Sequence, residues 1–201
     1  IPQYNTNLVS AAEAPKNWED LLDPRWKRQI GMVTDMKTWW ALALAEGGWG
    51  MERTEAFLAK LKQQEPIWAS GLVQSHSMLI AGEYKVMAAG NLRHVVLSQK
   101  KNAPVDWVRA KPVVVTGSSF LMQAKGPHPN ASRLFMEWLL SPPGLQVWAN
   151  ITAQYVPNTN TETDKLMRGL PVVFRTEEMV FKGIEMNLEK RFADILGITP
   201  G

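Results

Sequence analysis

Apolar residues follow two different spacings along the chain, and segments of the two kinds alternate. Helical spacing is clearest at Ala131, Leu134, Phe135, Trp138 and Leu139, which fall at i, i+3, i+4, i+7 and i+8. Similar segments predict helices over 35–46, 52–64, 75–81, 91–101 and 177–196, with another starting at 141–144. Short apolar runs between them predict strands over 29–34, 84–89, 105–108, 112–115 and 120–123. This alternation predicts an α/β fold.

Capping and breaking residues set the expected ends of these elements. Asn17 is a candidate N-cap for a short helix, Asp35 opens the next helix, and Ser75 is a candidate N-cap for the helix that follows. Gly183 is the expected break in the last helical segment. The polar stretch 158–164 is predicted to be a loop.

Composition narrows the class of protein without identifying it. Hydrophobic residues make up 45% and charged residues 20%, with 14 glycines and 13 prolines in 201 residues, which is typical of a globular chain. The net charge of +3 is spread evenly, because residues 1–100 carry 11 basic and 10 acidic side chains and the rest carry 11 and 9. That pattern predicts no nucleic-acid partner. The absence of cysteine excludes disulfides, thiolate catalysis and Cys-zinc sites.

The start of the chain and its tryptophans add two expectations. Residues 1–4 (IPQY) contain no initiator Met, basic region or apolar core of a leader, so we expect that a leader was removed or that the chain starts inside a longer protein. The longest apolar run, residues 39–45, is far shorter than the roughly 18 residues of a membrane span. Nine tryptophans need large buried surfaces or a ligand on which to stack.

Five phrases together carry a family resemblance. They are YNTNLV at 4–9, PKNWEDLLDPRWK at 15–27, AGE at 81–83, HPNA at 128–131 and LFMEWLLSPPGLQ at 134–146. In order and spacing they resemble passages of the bacterial extracellular solute-binding proteins, which are the receptors of ABC importers, in the branch that includes ferric-iron binders. Such proteins have two α/β lobes, joined by crossing strands, that hold a ligand in the cleft between them.

The resemblance implies a periplasmic-binding-protein type II-like α/β fold, of which this chain is the C-terminal part. Residues 1–110 and 161–201 would form one complete lobe, and 111–160 would be the segment that returns to a largely missing first lobe. Cut off from its partner, that segment would expose Leu134, Phe135 and Trp138. We therefore expect a homodimer, a swapped dimer or contact with an unseen fragment through this surface.

Two turns are candidate ligand sites. In the first, at 35–40, Thr38 offers a hydroxyl and Trp39 a stacking face beside a helix N-terminus; the alternative is that Asp35 caps the helix and both Trp39 and Trp40 are core. In the second, at 74–77, Ser75 and His76 precede a short helix whose amides suit an anion, and the resembling family often binds ligand at this turn. A nucleophile–base pair of Ser75 and His76 is the hydrolase hypothesis, but the chain has no G-x-S-x-G elbow.

The third candidate comes from the resemblance. In iron-binding members, adjacent tyrosines follow the GE strand, and counting on through Asn91 places Leu92 and Arg93 at those positions. Leucine cannot coordinate a metal and arginine stays protonated, so we expect no ferric iron bound in that way. Arg93 could instead clamp a carboxylate, phosphate or sulfonate, the alternative being a solvated surface arginine. The three histidines are far apart in sequence and show no metal-ligand spacing.

The resulting hypothesis is a periplasmic substrate-binding component of an ABC importer that captures a small anionic solute between two lobes. It predicts no catalysis, metal or cofactor, a membrane permease as partner, and a ligand-binding set of Thr38, Trp39, Ser75, His76, Asn91 and Arg93. The alternative is a ligand-sensing effector domain of a regulator with the same fold.

Overall fold

Five short strands form the central sheet of the structure, a computed structural model that describes residues 1–118, 120–123 and 125–199. The strands are β1 (Gln3–Asn5), β2 (Ile30–Val33), β3 (Ile67–Ala69), β4 (Val86–Met87) and β5 (Val105–Trp107), in the order β3-β2-β4-β1-β5. β2 runs parallel to β3 and β4, whereas β1 is antiparallel to β4 and β5. The predicted α/β class is therefore confirmed.

Helices follow each parallel strand. They are α1 (Lys37–Leu44), α2 (Met51–Lys62), α3 (Leu72–Ala81) and α4 (Leu92–Gln99), and α2 buries Phe57, Leu58 and Leu61 on one face as its spacing predicts. The chain divides into two compact units, Ile1–Thr116 with Leu170–Gly201, and Gly117–Gly169. The division of lobes at 110 and 161 stays a prediction.

A cluster of aromatic rings forms part of the hydrophobic core. Trp18 meets Trp39 at a centroid distance of 5.8 Å and Trp49 at 5.9 Å, both edge-on, and Phe57 packs against Trp39 and Trp49. The indole N–H of Trp18 donates to the carbonyl of Pro112 at 3.1 Å. Trp18 and Trp39 are almost completely buried, so these two tryptophans serve packing in the core.

A second, two-stranded parallel sheet completes the first unit. β6 (Val113–Thr116) pairs with β7 (Val172–Arg175) in a register that joins Val113 to Val172. β7 leads into α8 (Glu177–Glu185) and α9 (Leu188–Leu196). The predicted break at Gly183 is wrong, because α8 and α9 are separated at Asn187, which has a left-handed φ of 51°. Gly183 lies buried within α8, and the Trp40 ring occupies the place where a Cβ at position 183 would be.

The second unit is helical. It contains α5 (Pro129–Leu139), α6 (Pro142–Thr152) and α7 (Glu162–Met167), so the loop predicted for 158–164 is wrong at its C-terminal end. Thr161 caps α7 by accepting a hydrogen bond from the N–H of Asp164. The predicted exposure of the α5 stripe is confirmed, with Leu134, Phe135 and Trp138 exposed by 69%, 56% and 44%.

Three other local predictions are wrong. Asn17 caps nothing: a 3-10 helix runs over Glu19–Leu22, and the Asp20 carboxylate accepts hydrogen bonds from the N–H groups of Lys16 and Asn17. Residues 120–123 form no strand. Ser75 is not an N-cap, because α3 already begins at Leu72. Within the described ranges, no helix has the length and apolar content that crossing a membrane requires.

Candidate functional site

Three parallel strands end at the same edge of the sheet, and each leads into a helix. We call this the carboxyl edge and define it as residues 34–38 after β2, 70–72 after β3 and 88–93 after β4. The helix N-termini therefore lie at this edge, and α/β sheets bind ligands beyond the carboxyl ends of their strands. The predicted residues Thr38, Asn91 and Arg93 lie at this edge.

Asn91 and Arg93 define the start of α4. Asn91 is the N-cap, and its Oδ1 accepts a hydrogen bond of 3.3 Å from the Arg93 N–H. Arg93 lies half-buried in the first turn of α4, and its guanidinium makes no ion pair with any carboxylate in the described part of the chain. Leu92, beside it, is buried. Among the described residues, Arg93 is therefore a cation without a carboxylate partner at a helix N-terminus, an arrangement that suits an anion.

A partly buried hydrogen-bond network, which we call the Gln3 network (the side chains of Gln3, His76 and Ser98 and the backbone carbonyl of Asn91), holds this turn in place. Gln3 Nε2 donates to the carbonyl of Asn91 at 3.0 Å, and Gln3 Oε1 lies 2.9 Å from His76 Nδ1. Since an amide oxygen only accepts, His76 Nδ1 carries the proton, and His76 Nε2 accepts from the Ser98 hydroxyl at 2.9 Å. His76 therefore lies behind the candidate site as a support.

The histidines of this region are neutral at pH 7. Burial, with a smaller contribution from His94, lowers the pKa of His76 to about 4. The two rings lie 5.5 Å apart between centroids. Burial, followed by the neighbouring Arg93 charge, also lowers the pKa of His94. The positive charge at the start of α4 therefore belongs to Arg93.

Ser75 is also structural. Its side chain is fully buried, and its Oγ is 2.6 Å from the Tyr84 hydroxyl, which in turn donates to the Ser75 carbonyl. The Tyr84 ring lies where a Cβ on Gly31 would stand, at 2.0 Å. Ser75 and His76 form hydrogen bonds with different partners and not with each other. They are therefore not a nucleophile–base pair, and the structure does not support the hydrolase hypothesis.

The two predicted ligand residues in the turn after β2, Thr38 and Trp39, lie in different environments. Thr38 is half-buried in the first turn of α1, whereas Trp39 is 1% exposed and packs against Trp18 and Phe57. For Trp39 the structure shows the core role that the sequence left open as the alternative. Asp35 lies outside α1, and its Oδ1 accepts a hydrogen bond of 2.9 Å from the Lys37 N–H.

Glu189 contacts this edge, and the sequence does not predict it. Glu189, in the first turn of α9, accepts a hydrogen bond of 3.4 Å from the Met36 N–H at the start of α1. The two residues are 153 positions apart, and no local pattern signals such a pair. Elsewhere, the described residues bring no three His, Asp or Glu side chains close enough to hold a metal ion.

Comparisons with known proteins show the family of the chain and its fold. The sequence model of a family described as bacterial extracellular solute-binding protein matches residues 1–166. An uncharacterized protein of Haemophilus influenzae is 28% identical, over 72% of this chain and 46% of its own length. The chain thus spans less than half of that curated relative.

Solved structures of periplasmic binding proteins have the same fold. The periplasmic binding protein P5PA matches with a TM-score of 0.73 and 18% identity, over 97% of this chain and 65% of its own. AfuA from Actinobacillus pleuropneumoniae, with exogenous fructose-6-phosphate bound, matches with a TM-score of 0.70 and 19% identity, over 98% of this chain and 66% of its own. Iron-bound HitA from Pseudomonas aeruginosa matches with a TM-score of 0.67 and 18% identity, over 96% of this chain and 66% of its own. About a third of each of these proteins has no counterpart here.

Proposed function

This chain belongs to the bacterial extracellular solute-binding protein family, and on that premise we propose that it is part of a receptor that captures a small anionic solute for an ABC importer. The anion would bind at the carboxyl edge, at the start of α4. The observation that carries the proposal is Arg93, a half-buried cation in the first turn of α4 that has no carboxylate partner among the described residues. Its planar guanidinium can hold two oxygens of a carboxylate, phosphate or sulfonate at once.

The residues assigned to the ligand are Asn91, Arg93 and Thr38. Arg93 would supply charge and guanidinium hydrogen bonds, Asn91 would fix the first turn of α4 through its cap, and Thr38 would supply a hydroxyl from the neighbouring turn. His76 acts through Gln3 on the position of Asn91, and Ser75 acts through Tyr84 on the packing of α3. Trp39 belongs to the core.

The nature of the solute is argued from chemistry and from relatives. AfuA is described with fructose-6-phosphate bound and HitA with iron bound, so both an anionic and a metallic solute occur among similar folds. The pair Leu92 and Arg93 stands where the resembling iron binders have adjacent tyrosines, and neither residue can supply a phenolate. That difference supports an organic anion over ferric iron held by tyrosines.

Capture would be reversible, with no covalent chemistry. In the whole protein a second lobe would close over the carboxyl edge, and the closed form would dock on a membrane permease in the periplasm. Residues 1–110 with 161–201, and 111–160, are proposed to belong to different lobes. The exposed Leu134, Phe135 and Trp138 would then be covered by the rest of the first lobe or by a second copy.

A thermal-shift screen of the full-length protein tests this proposal. The panel contains carboxylates, phosphate esters, sulfonates, neutral amino acids, sugars and ferric salts. A ligand at 100 times its Kd stabilises the folded state by about 2.7 kcal/mol, which is a clear shift. We expect shifts from organic anions that disappear in Arg93→Ala and persist in Arg109→Ala, an exposed arginine that lies over Trp107. A shift from ferric salts alone would overturn the anionic assignment. The alternative, an effector domain of a regulator, has no support from the family and structural matches, which are solute-binding proteins.

A further inference from the structure

The N-terminus of α1 is already occupied by a carboxylate from a distant part of the chain. Glu189 Oε1 accepts a hydrogen bond of 3.4 Å from the Met36 N–H, and the side chain is half-buried. The nearest basic residue in sequence to this turn, Lys37, forms an ion pair of 3.2 Å with Asp35 instead. In the described part of the chain, no cation lies within ion-pair distance of the Glu189 carboxylate.

The starts of α1 and α4 therefore carry opposite charges. β2 and β4 are adjacent and parallel, with Gly31 opposite Met87, so the turns that lead to Met36 and Asn91 leave neighbouring strands at the carboxyl edge. A helix N-terminus favours an anion, but at α1 the Glu189 carboxylate already takes that place and repels a second one. At α4, Arg93 reinforces the attraction for an anion.

The electrostatic balance at Glu189 favours a cationic neighbour. Burial raises the pKa of the Glu189 carboxyl, the Met36 hydrogen bond and Lys37 oppose the rise, and Asp35 adds to it. The Glu189 carboxylate has lost part of its hydration by burial and forms no ion pair among the described residues, since Lys37 pairs with Asp35. A ligand ammonium group at this position would restore the lost interaction.

From this arrangement we infer that Glu189 is a specificity-determining residue, which selects solutes that carry a cationic group beside the anionic group held at Arg93. The inference rests on the proposed function, since it assigns the second end of the same ligand. The preferred solutes are zwitterions with an ammonium or guanidinium group, and purely anionic analogues bind more weakly.

The test measures the affinity of the full-length protein for three pairs of compounds by calorimetry. The pairs are glycine and acetate, 4-aminobutanoate and butanoate, and 6-aminohexanoate and hexanoate, which differ in the distance between the two charges. In at least one pair the amino compound should bind about tenfold more tightly. Glu189→Gln should abolish that preference, whereas Glu185→Gln, an exposed glutamate on α8, should leave it unchanged.

The outcomes separate the two proposals. A preference that survives Glu189→Gln, or binding of each pair with equal affinity that still depends on Arg93, overturns the role of Glu189 and leaves the proposed function standing. Failure of all six compounds to bind, together with no shift in the anion screen, overturns the proposed function and this inference with it. The melting temperature of each variant without ligand shows whether the substitution has disturbed the fold.

Discussion

His76 Nδ1 lies 2.9 Å from Gln3 Oε1, and this hydrogen bond joins the α3 helix to the first strand of the sheet. Gln3 also contacts the start of α4, because its Nε2 donates a hydrogen bond to the carbonyl of Asn91. A Cβ at position 90 would lie 2.2 Å from Gln3 Nε2, so the glycine there leaves the space that the Gln3 side chain occupies. The position of Arg93 therefore depends on a histidine that faces away from the solvent.

We predict that His76→Phe weakens both folding and binding. The substitution leaves Gln3 Oε1 and Ser98 Oγ without their partner, and a buried unpaired polar group costs about 1–3 kcal/mol. Urea denaturation should show this loss, and the thermal shift with an anionic ligand should shrink. The exposed His128 is the matched control, since His128→Phe should change neither quantity. Equal unfolding free energies for the two variants would contradict the supporting role of His76.

Stability should fall between pH 6.5 and pH 4 because of the same residue. The pKa of His76 drops from 6.5 in the unfolded chain to about 4 in the folded protein, so in this window only the unfolded state takes up the proton. Unfolding is then favoured progressively as the pH decreases, by up to about 3 kcal/mol. Above pH 6.5 the effect is absent.

The measurement is the unfolding free energy of the wild type and of His76→Gln at pH 4, 5, 6 and 7. The variant cannot titrate at position 76, so its stability should depend less steeply on pH over this window. Identical slopes for the two proteins would show that His76 is not held neutral by the fold.

Gly31→Ala should destabilise the protein much more than Gly71→Ala. A Cβ at position 31 would lie 2.0 Å from Tyr84 Cζ, inside the buried contact between Tyr84 and Ser75. Overpacking of this kind typically costs about 1–3 kcal/mol. Gly71 is extended, with a φ of −168°, and a Cβ there meets nothing within 4 Å. Similar melting temperatures for the two variants would contradict the packing of Tyr84 beneath the strand.

Trp39→Ala should reduce stability, whereas Trp138→Ala should not. Trp39 fills the space between Trp18 and Phe57 in the core, and removal of a buried tryptophan costs about 3–5 kcal/mol. Trp138 is 44% exposed in this chain, and exposed substitutions usually lie within about 0.5 kcal/mol. Chemical denaturation of the two variants checks the difference. A stable Trp39→Ala that binds anions poorly would restore the ligand-stacking role.

The sequence predicts best what depends on local spacing. The inward face of α2, with Phe57, Leu58 and Leu61, follows from helical periodicity alone. The helix predicted over 91–101 is found as α4, which begins directly after its N-cap Asn91 and ends at Gln99. The helix break predicted at Gly183 is wrong because this glycine makes room for Trp40 of another helix, a contact that spacing along the chain does not reveal.

The candidate site was only partly predictable for the same reason. Ser75 and His76 have the residue types of a ligand site, and only the fold shows that Tyr84, Gln3 and Ser98 already use their polar atoms. Glu189 could not be found, because it reaches Met36 from 153 residues away. Burial and long-range pairing, which depend on tertiary structure, decide these roles.

The most direct test of the central claim is a calorimetric titration with the organic anion that gives the largest thermal shift, using the wild type, Arg93→Ala and Arg109→Ala. Hydrogen bonds to charged groups contribute about 1.5–3 kcal/mol, so loss of the Arg93 guanidinium should weaken binding by roughly ten- to a hundredfold. Arg109→Ala should bind as the wild type does. Equal affinities for the wild type and Arg93→Ala would contradict the claim that an anion binds at the start of α4.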